Sequence, residues 1–556
     1  MSRTWVVLVL AALTAAACGT GEAADLVFRG GSVWTGVPGA PLAQAVAVKD
    51  NRITVVGTDA DVDAVTGRDT RVVELAGRTL TPGFIDAHVH FIDGGFKLAS
   101  VNLRDAATPE EFARRIGAFA ETVPAGTWIT GGDWDHELWG GALPRKEWVD
   151  SLTPDNPVFV NRLDGHMALA NTAALRAAGV DEDGRTPDPP GGTIVRDPRT
   201  GEPAGVFKDD AMDLVYRAIP DPSEEELDRA FRAAARHALE RGVTQVHDMA
   251  TWASLATYQR AEARGELPLR VYSVVPLATW ARLRDYVAEQ GRGDDRLWWG
   301  GLKGFVDGSL GSTTAWFYDP YDDAPETSGL TVTDTADLRA WTDSADAAGL
   351  QVIVHAIGDR ANDFMLDVYR DVAERHGPRD RRFRIEHAQH LTSAAIPRFA
   401  EQGVIASMQP YHAADDGRWA QKRIGPERIK GTYAFRSLLD AGATLAFGSD
   451  WTVAPIDPIL GIDAAVTRRT IDGANPQGWQ PQERISLEET LTAYTEGGAE
   501  AGFMEGKLGR LEPGMLADLT LFSEDLFTTD PNSLVDARVD MTVVDGKVEY
   551  ERSGSE

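Results

Sequence analysis

Thr81-Pro82-Gly83-Phe84-Ile85-Asp86-Ala87-His88-Val89-His90 decides how the rest of the chain is read. Pro82 and Gly83 punctuate it, and the mostly apolar run that follows reads as a short buried strand. His88 and His90 stand two residues apart, so on a strand both imidazoles leave from the same face. Two neutral imidazoles converging from one strand end make half of a metal site. A single His-x-His also arises by chance, so the weight falls on what the remaining residues add.

Outward from this strand, strand-like runs alternate with helical stretches as far as about residue 500. That alternation argues for an α/β fold with a parallel sheet. Expected strands are 242–248, 270–275, 301–307, 351–355, 383–387, 403–408 and 444–449, with helices such as 223–240, 333–348 and 361–376 between them. The strand at 84–90 makes eight, the number that closes a (β/α)8 TIM-type barrel. The segment 94–222 interrupts the alternation directly after the His-x-His strand. It has strands of its own at 127–132 and 158–161 and a Pro/Gly-rich loop at 186–192. An insertion there lies over the C-terminal face, where barrel active sites form, and is expected to cap the pocket.

The two ends share a different texture, short strands and tight turns. Residues 25–80 and 507–556 are each too few to close a sheet, so one composite β-sandwich domain built from both is expected, with the barrel of 81–506 inserted into it. One strand is expected at 541–548. Residues 1–24 read as an export signal with a tether. Arg3 precedes an apolar run from Trp5 to Ala17, too short to span a membrane. Ala15-Ala16-Ala17-Cys18 resembles a lipoprotein signal, whose cysteine becomes the lipidated first residue; ordinary cleavage after the small residues is the alternative. The expectation is export, with lipid anchoring at Cys18 on the outer face of a bacterial membrane as the sole membrane contact. Cys18 is the single cysteine, which excludes an internal disulfide and a thiolate nucleophile. With 55 Lys+Arg against 85 Asp+Glu, the net charge of −30 disfavours nucleic acid as a partner.

The chemistry collects at the expected strand ends. His355, His387 and Asp450 each end an expected strand, and Lys303 sits in the middle of an apolar run. Each has a plainer role on its own: a satisfied core histidine, a helix cap, a lysine reaching solvent. Those roles do not explain why all fall at strand ends in barrel order. A buried lysine is costly if charged and unpaired; carbamylation by CO2 would turn it into an anionic ligand bridging two ions.

With these motifs in view, the sequence resembles the amidohydrolase superfamily of metal-dependent hydrolases, in the branch of N-substituted formamide deformylases (amidohydrolase family 3). The resemblance rests on the opening stretch, Gly242-Val243-Thr244 with His247-Asp248, and Asp307-Gly308-Ser309-Leu310-Gly311-Ser312. It continues in His355-Ala356-Ile357-Gly358-Asp359, Ile385-Glu386-His387-Ala388, Met408-Gln409-Pro410 and Gly448-Ser449-Asp450-Trp451. It implies His88, His90, His355, His387 and Asp450 as metal ligands and Lys303 as the carbamylated lysine of a binuclear site. One or two divalent ions are expected, zinc by default, with manganese, iron or nickel as alternatives. One departure stands out: Thr313-Thr314-Ala315 replaces the usual Arg-Thr-Ala; if that arginine holds substrate in relatives, this chain binds something else or binds it differently.

The expected reaction is cleavage of a non-peptide C–N bond in a small amide or formamide by a metal-bound hydroxide, with Asp450 shuttling the proton. An esterase, lactonase or phosphotriesterase could use the same site, and a non-catalytic binding protein is the alternative outside enzymes. His166, Trp134, Gln409, His390 and Trp451 are candidates for substrate binding, with His412 and Asp359 close by. The 15 tryptophans, with Trp134, Trp139, Trp316 and Trp451 near expected pocket loops, point to a bulky or aromatic group. Oligomeric state is open.

Overall fold

The computed structural model describes residues 22–553; the export signal and Cys18 lie outside the described residues. Eight strands form one parallel sheet in chain order. They are Phe84–Val89, Val243–Met249, Arg270–Pro276, Leu297–Phe305, Gln351–Ala356, Arg384–His387, Ile405–Met408 and Leu445–Phe447, called here barrel strands 1 to 8. The strands are buried almost throughout, as expected where helices cover one face and side chains fill the other. The sheet closes at the residues of interest. Asp450 N donates to His88 O at 2.7 Å and His90 N donates to Trp451 O at 2.5 Å. The turn after strand 8 is therefore sewn directly to the His-x-His strand.

Barrel strand 4 differs from its expected bounds: it starts at Leu297, not 301. Gly300-Gly301 looks like a strand start in sequence. Gly300 instead sits at φ +138° inside the strand, where glycine accommodates an irregularity in the pairing with strand 3. Trp298 and Trp299 before it are buried.

Between barrel strands 1 and 2 the insertion builds a six-stranded sheet of its own, in the order Gly192–Arg196, Pro203–Asp209, Met167–Ala170, Phe159–Arg162, Gly131–Trp134, Val101–Asn102. The helix that returns the chain to the barrel, Glu224–Leu239, starts at a capping box between Ser223 and Glu226.

Both ends of the chain meet in a five-stranded sheet: Ser32–Val33 and Thr79–Pro82 pair on to Leu519–Phe522, Val539–Val544 and Lys547–Glu551. A four-stranded sheet of Leu26–Arg29, Ala45–Lys49, Arg52–Gly57 and Arg71–Glu74 packs with it around one apolar cluster. The single strand expected at 541–548 is a hairpin. Asp545 and Gly546 turn it at φ +56° and +76°, the two positive angles that an Asp-Gly turn supplies.

Candidate metal centre

The ends of barrel strands 1, 4, 5, 6 and 8 bring His88, His90, Lys303, His355, His387 and Asp450 to one cavity of ≈ 90 Å³. Asp450 Oδ1 lies 3.5 Å from Nε2 of both His88 and His90, and Oδ2 lies 3.9 Å from His387 Nδ1. The rings of His355 and His387 are 4.5 Å apart between centroids. Lys303 Nζ is 3.2 Å from His88 Nε2.

Three of these imidazoles have one nitrogen anchored to an acceptor. His88 Nδ1 bonds Glu386 Oε2, His387 Nδ1 bonds Gln409 Oε1 at 2.8 Å, and His355 Nε2 bonds Gly308 O at 3.0 Å. Carbonyl and carboxylate oxygens only accept, so the proton sits on the anchored nitrogen and the other nitrogen keeps its lone pair. That is the arrangement a metal requires of histidine. Burial, with the Lys303 charge, pulls His88 down to about 4, which keeps its ring neutral. Burial opposes charge on Asp450 too. The imidazoles of His88, His90 and His387 outweigh it and hold the carboxyl well below the usual range. The donors are imidazole nitrogens plus one carboxylate, a set that suits zinc and its neighbours.

The backbone is bent to make this set. His387, Ala388 and Asp450 lie at φ +72°, +41° and +55°, positions that L residues occupy when surroundings enforce them.

The profile of the amidohydrolase family matches residues 71–550. The chain belongs to the amidohydrolase family. It is a metal-dependent hydrolase of carbon–nitrogen bonds. Protein LONG AFTER FAR-RED 3 of Arabidopsis thaliana is 42% identical over 95% of this chain and 92% of its own. The N-substituted formamide deformylase of Arthrobacter pascens is 30% identical over 92% and 96%. Among solved structures, an uncharacterized metal-dependent hydrolase from Pyrococcus furiosus superposes with a TM-score of 0.71 at 28% identity, covering 91% of this chain and 99% of that one.

Within this amidohydrolase site the substrate-binding candidates separate. His166 lines the cavity and is held by Asp209, Nδ1 to Oδ1, at 2.8 Å. Gln409 is fully buried and reaches the site through His387. Trp134 does not face the cavity: it sits in the apolar core of the insertion and donates its indole N–H to Val160 O. Trp451 is buried against Phe91 and stacks on His237 at 5.4 Å. His390 bonds Thr432 and Gln389 behind the pocket wall. Asp359 opens the helix after strand 5 and accepts from Tyr318 N. Apolar bulk draws tryptophan into cores, so Trp419 is the one tryptophan among the described residues that lines this cavity. The expectation of an aromatic pocket built from the other four is corrected accordingly.

Three buried carboxylates that sequence reading passed over support the ligands. Glu386 bonds His88 and takes Arg384 Nε at 2.9 Å. Burial works against its charge, but Arg384 and His88 keep it far below the usual carboxylate range. Asp86 accepts the backbone N–H of His88 and of Ser449, and burial lifts it to about 7. Asp307, also lifted to about 7 by burial, accepts N–H from Trp316, Ile357 and Gly358 and so ties the loops after strands 4 and 5. A charged residue inside a mostly apolar strand was the available signal for Asp86; Glu386 stands in the polar run Arg384-Ile385-Glu386-His387, where only its burial in the fold singles it out.

Glu386→Gln is expected to weaken ion binding about 10- to 100-fold, because the amide no longer fixes the His88 proton as an anion does. Competition with a metal-sensitive dye checks this; unchanged affinity would show that the Glu386 bond is merely structural.

Proposed function

We propose that this chain hydrolyses the amide bond of a small N-substituted formamide or similar N-acyl amine. The observation that carries the reading is the convergence of six ionisable or ligating side chains on one small cavity, with lone pairs of three imidazoles set by their anchors. The residues fit one or two divalent ions. His88, His90 and Asp450 would hold the first, His355 and His387 would help hold the second, and a carbamate formed on Lys303 would supply a further anionic donor. Such ions lower the pKa of water from about 15.7 to near 7 and polarise a carbonyl.

The chain's own residues supply the rest. Asp450, ionised and central to the donors, takes the proton of the attacking water and returns it to the leaving amine. His166, fixed by Asp209, presents its other nitrogen to the cavity as a hydrogen-bond partner for substrate. A cavity of ≈ 90 Å³ at the donors favours a small acyl group such as formyl. Leu163, Leu310, Ile357 and Val453 give it an apolar lining for the amine substituent. The relationship to a formamide deformylase points the same way.

Turnover of N-benzylformamide, N-benzylacetamide and a phenyl ester by the zinc-loaded protein tests this. The formamide is expected to be cleaved with the highest kcat/KM. An ester preferred over both amides, or no amide turnover at all, would overturn the substrate class.

A further inference from the structure

We propose that His412 is a metal ligand, forming with His387 and Asp450 an ion position beside that of His88, His90 and Asp450. The inference rests on the metal-dependent reading above and adds to it a donor from the helix that follows barrel strand 7. The nearest donor atoms of His387, His412 and Asp450 lie within 4.8 Å of one another, as do those of His88, His90 and Asp450. His412 is 9% exposed, and its Nε2 is buried with no hydrogen-bond partner among the described residues. A buried polar atom without a partner is costly, and an ion held with Asp450 and His387 would relieve it. Asp450 is an acceptor already centred on imidazoles, and the His387 ring runs parallel to that of His412, 13° apart with centroids at 6.3 Å.

Chain geometry explains why His412 is there. Gln409 directly follows strand 7 and accepts the hydrogen bond of His387 Nδ1–H. Pro410 then starts the helix Pro410–Asp416, since its missing N–H is not needed in a first turn. Three residues on from Gln409, that turn carries His412 back to the cavity wall. One strand end thus both orients His387 and sets a further nitrogen beside it.

The test uses the full chain, stripped with chelator and reloaded with Zn2+ or Co2+. Bound metal is counted by elemental analysis, and the visible absorption of the Co2+ form is recorded. The wild type is expected to bind two ions. His412→Ala and His412→Gln are expected to keep the first and bind the second at least tenfold more weakly, with a changed Co2+ spectrum. Metal-free melting temperatures equal to the wild type would confirm that both variants fold; the glutamine variant guards against collapse of the site. Two ions bound with wild-type affinity and spectrum in both variants would overturn the proposal, and a raised KM alone would then mark His412 as a substrate contact. A single wild-type ion that survives loss of His412 would also overturn it. A wild type that binds less than one ion per chain would instead defeat the metal reading itself.

Discussion

Asp450→Asn is expected to lower kcat about 10³-fold, within the usual range for removal of a positioned acid–base group. The amide has the same size, so the turn that joins strand 8 to strand 1 keeps its Asp450 N to His88 O bond. What goes is the charge. An asparagine oxygen can still accept from the His90 side, but it takes no proton from water and holds none for the leaving amine. The measurement is steady-state kinetics on protein whose metal content is assayed in the same sample. Near-normal kcat at full metal occupancy would remove Asp450 from proton transfer.

Lys303→Met is expected to cut kcat by about 10²- to 10³-fold, the several kcal/mol that one ion's charge stabilisation is worth. Methionine matches the length of the lysine and is at home in the apolar strand, so the fold should survive. Burial lowers Lys303 to about 8 in the metal-free protein, against the pull of Glu386 and Asp450. The sign follows directly. The neutral amine is the form that attacks CO2, and its fraction grows as pH rises and levels off above about 8. At a fixed concentration of dissolved CO2, the carbamylation rate of the metal-free wild type, read as a carbon signal from the isotope label, should therefore plateau above that pH. An ordinary lysine would keep gaining until about 10.4. A rate still climbing tenfold per pH unit at pH 9 would contradict the buried amine. By linkage, the metal-free fold gains stability between about 8 and about 10.4, where the unfolded chain still binds this proton.

The amino-acid sequence by itself determined the barrel and the identity of its polar strand ends. Strand patterning is local: an apolar run such as the one ending in His355 announces a buried strand and its last residue without reference to any neighbour. His88 and His90 share a face because of a two-residue period, whatever the strand pairs with. Tertiary structure alone decided what each side chain meets. Glu386 finds His88 across 298 positions, and Gln409 finds His387 across 22. Neither pairing is written in a spacing, because it depends on which strands the closed sheet brings together. Trp134 and Trp451 lie near expected pocket loops in the sequence and turn into cores in the structure, since burying a large apolar ring is favourable wherever packing allows it. The same closure leaves His412 Nε2 buried near Asp450 with no hydrogen-bond partner among the described residues. Burial and pairing are relations between distant residues, and the sequence carries them only after it has folded.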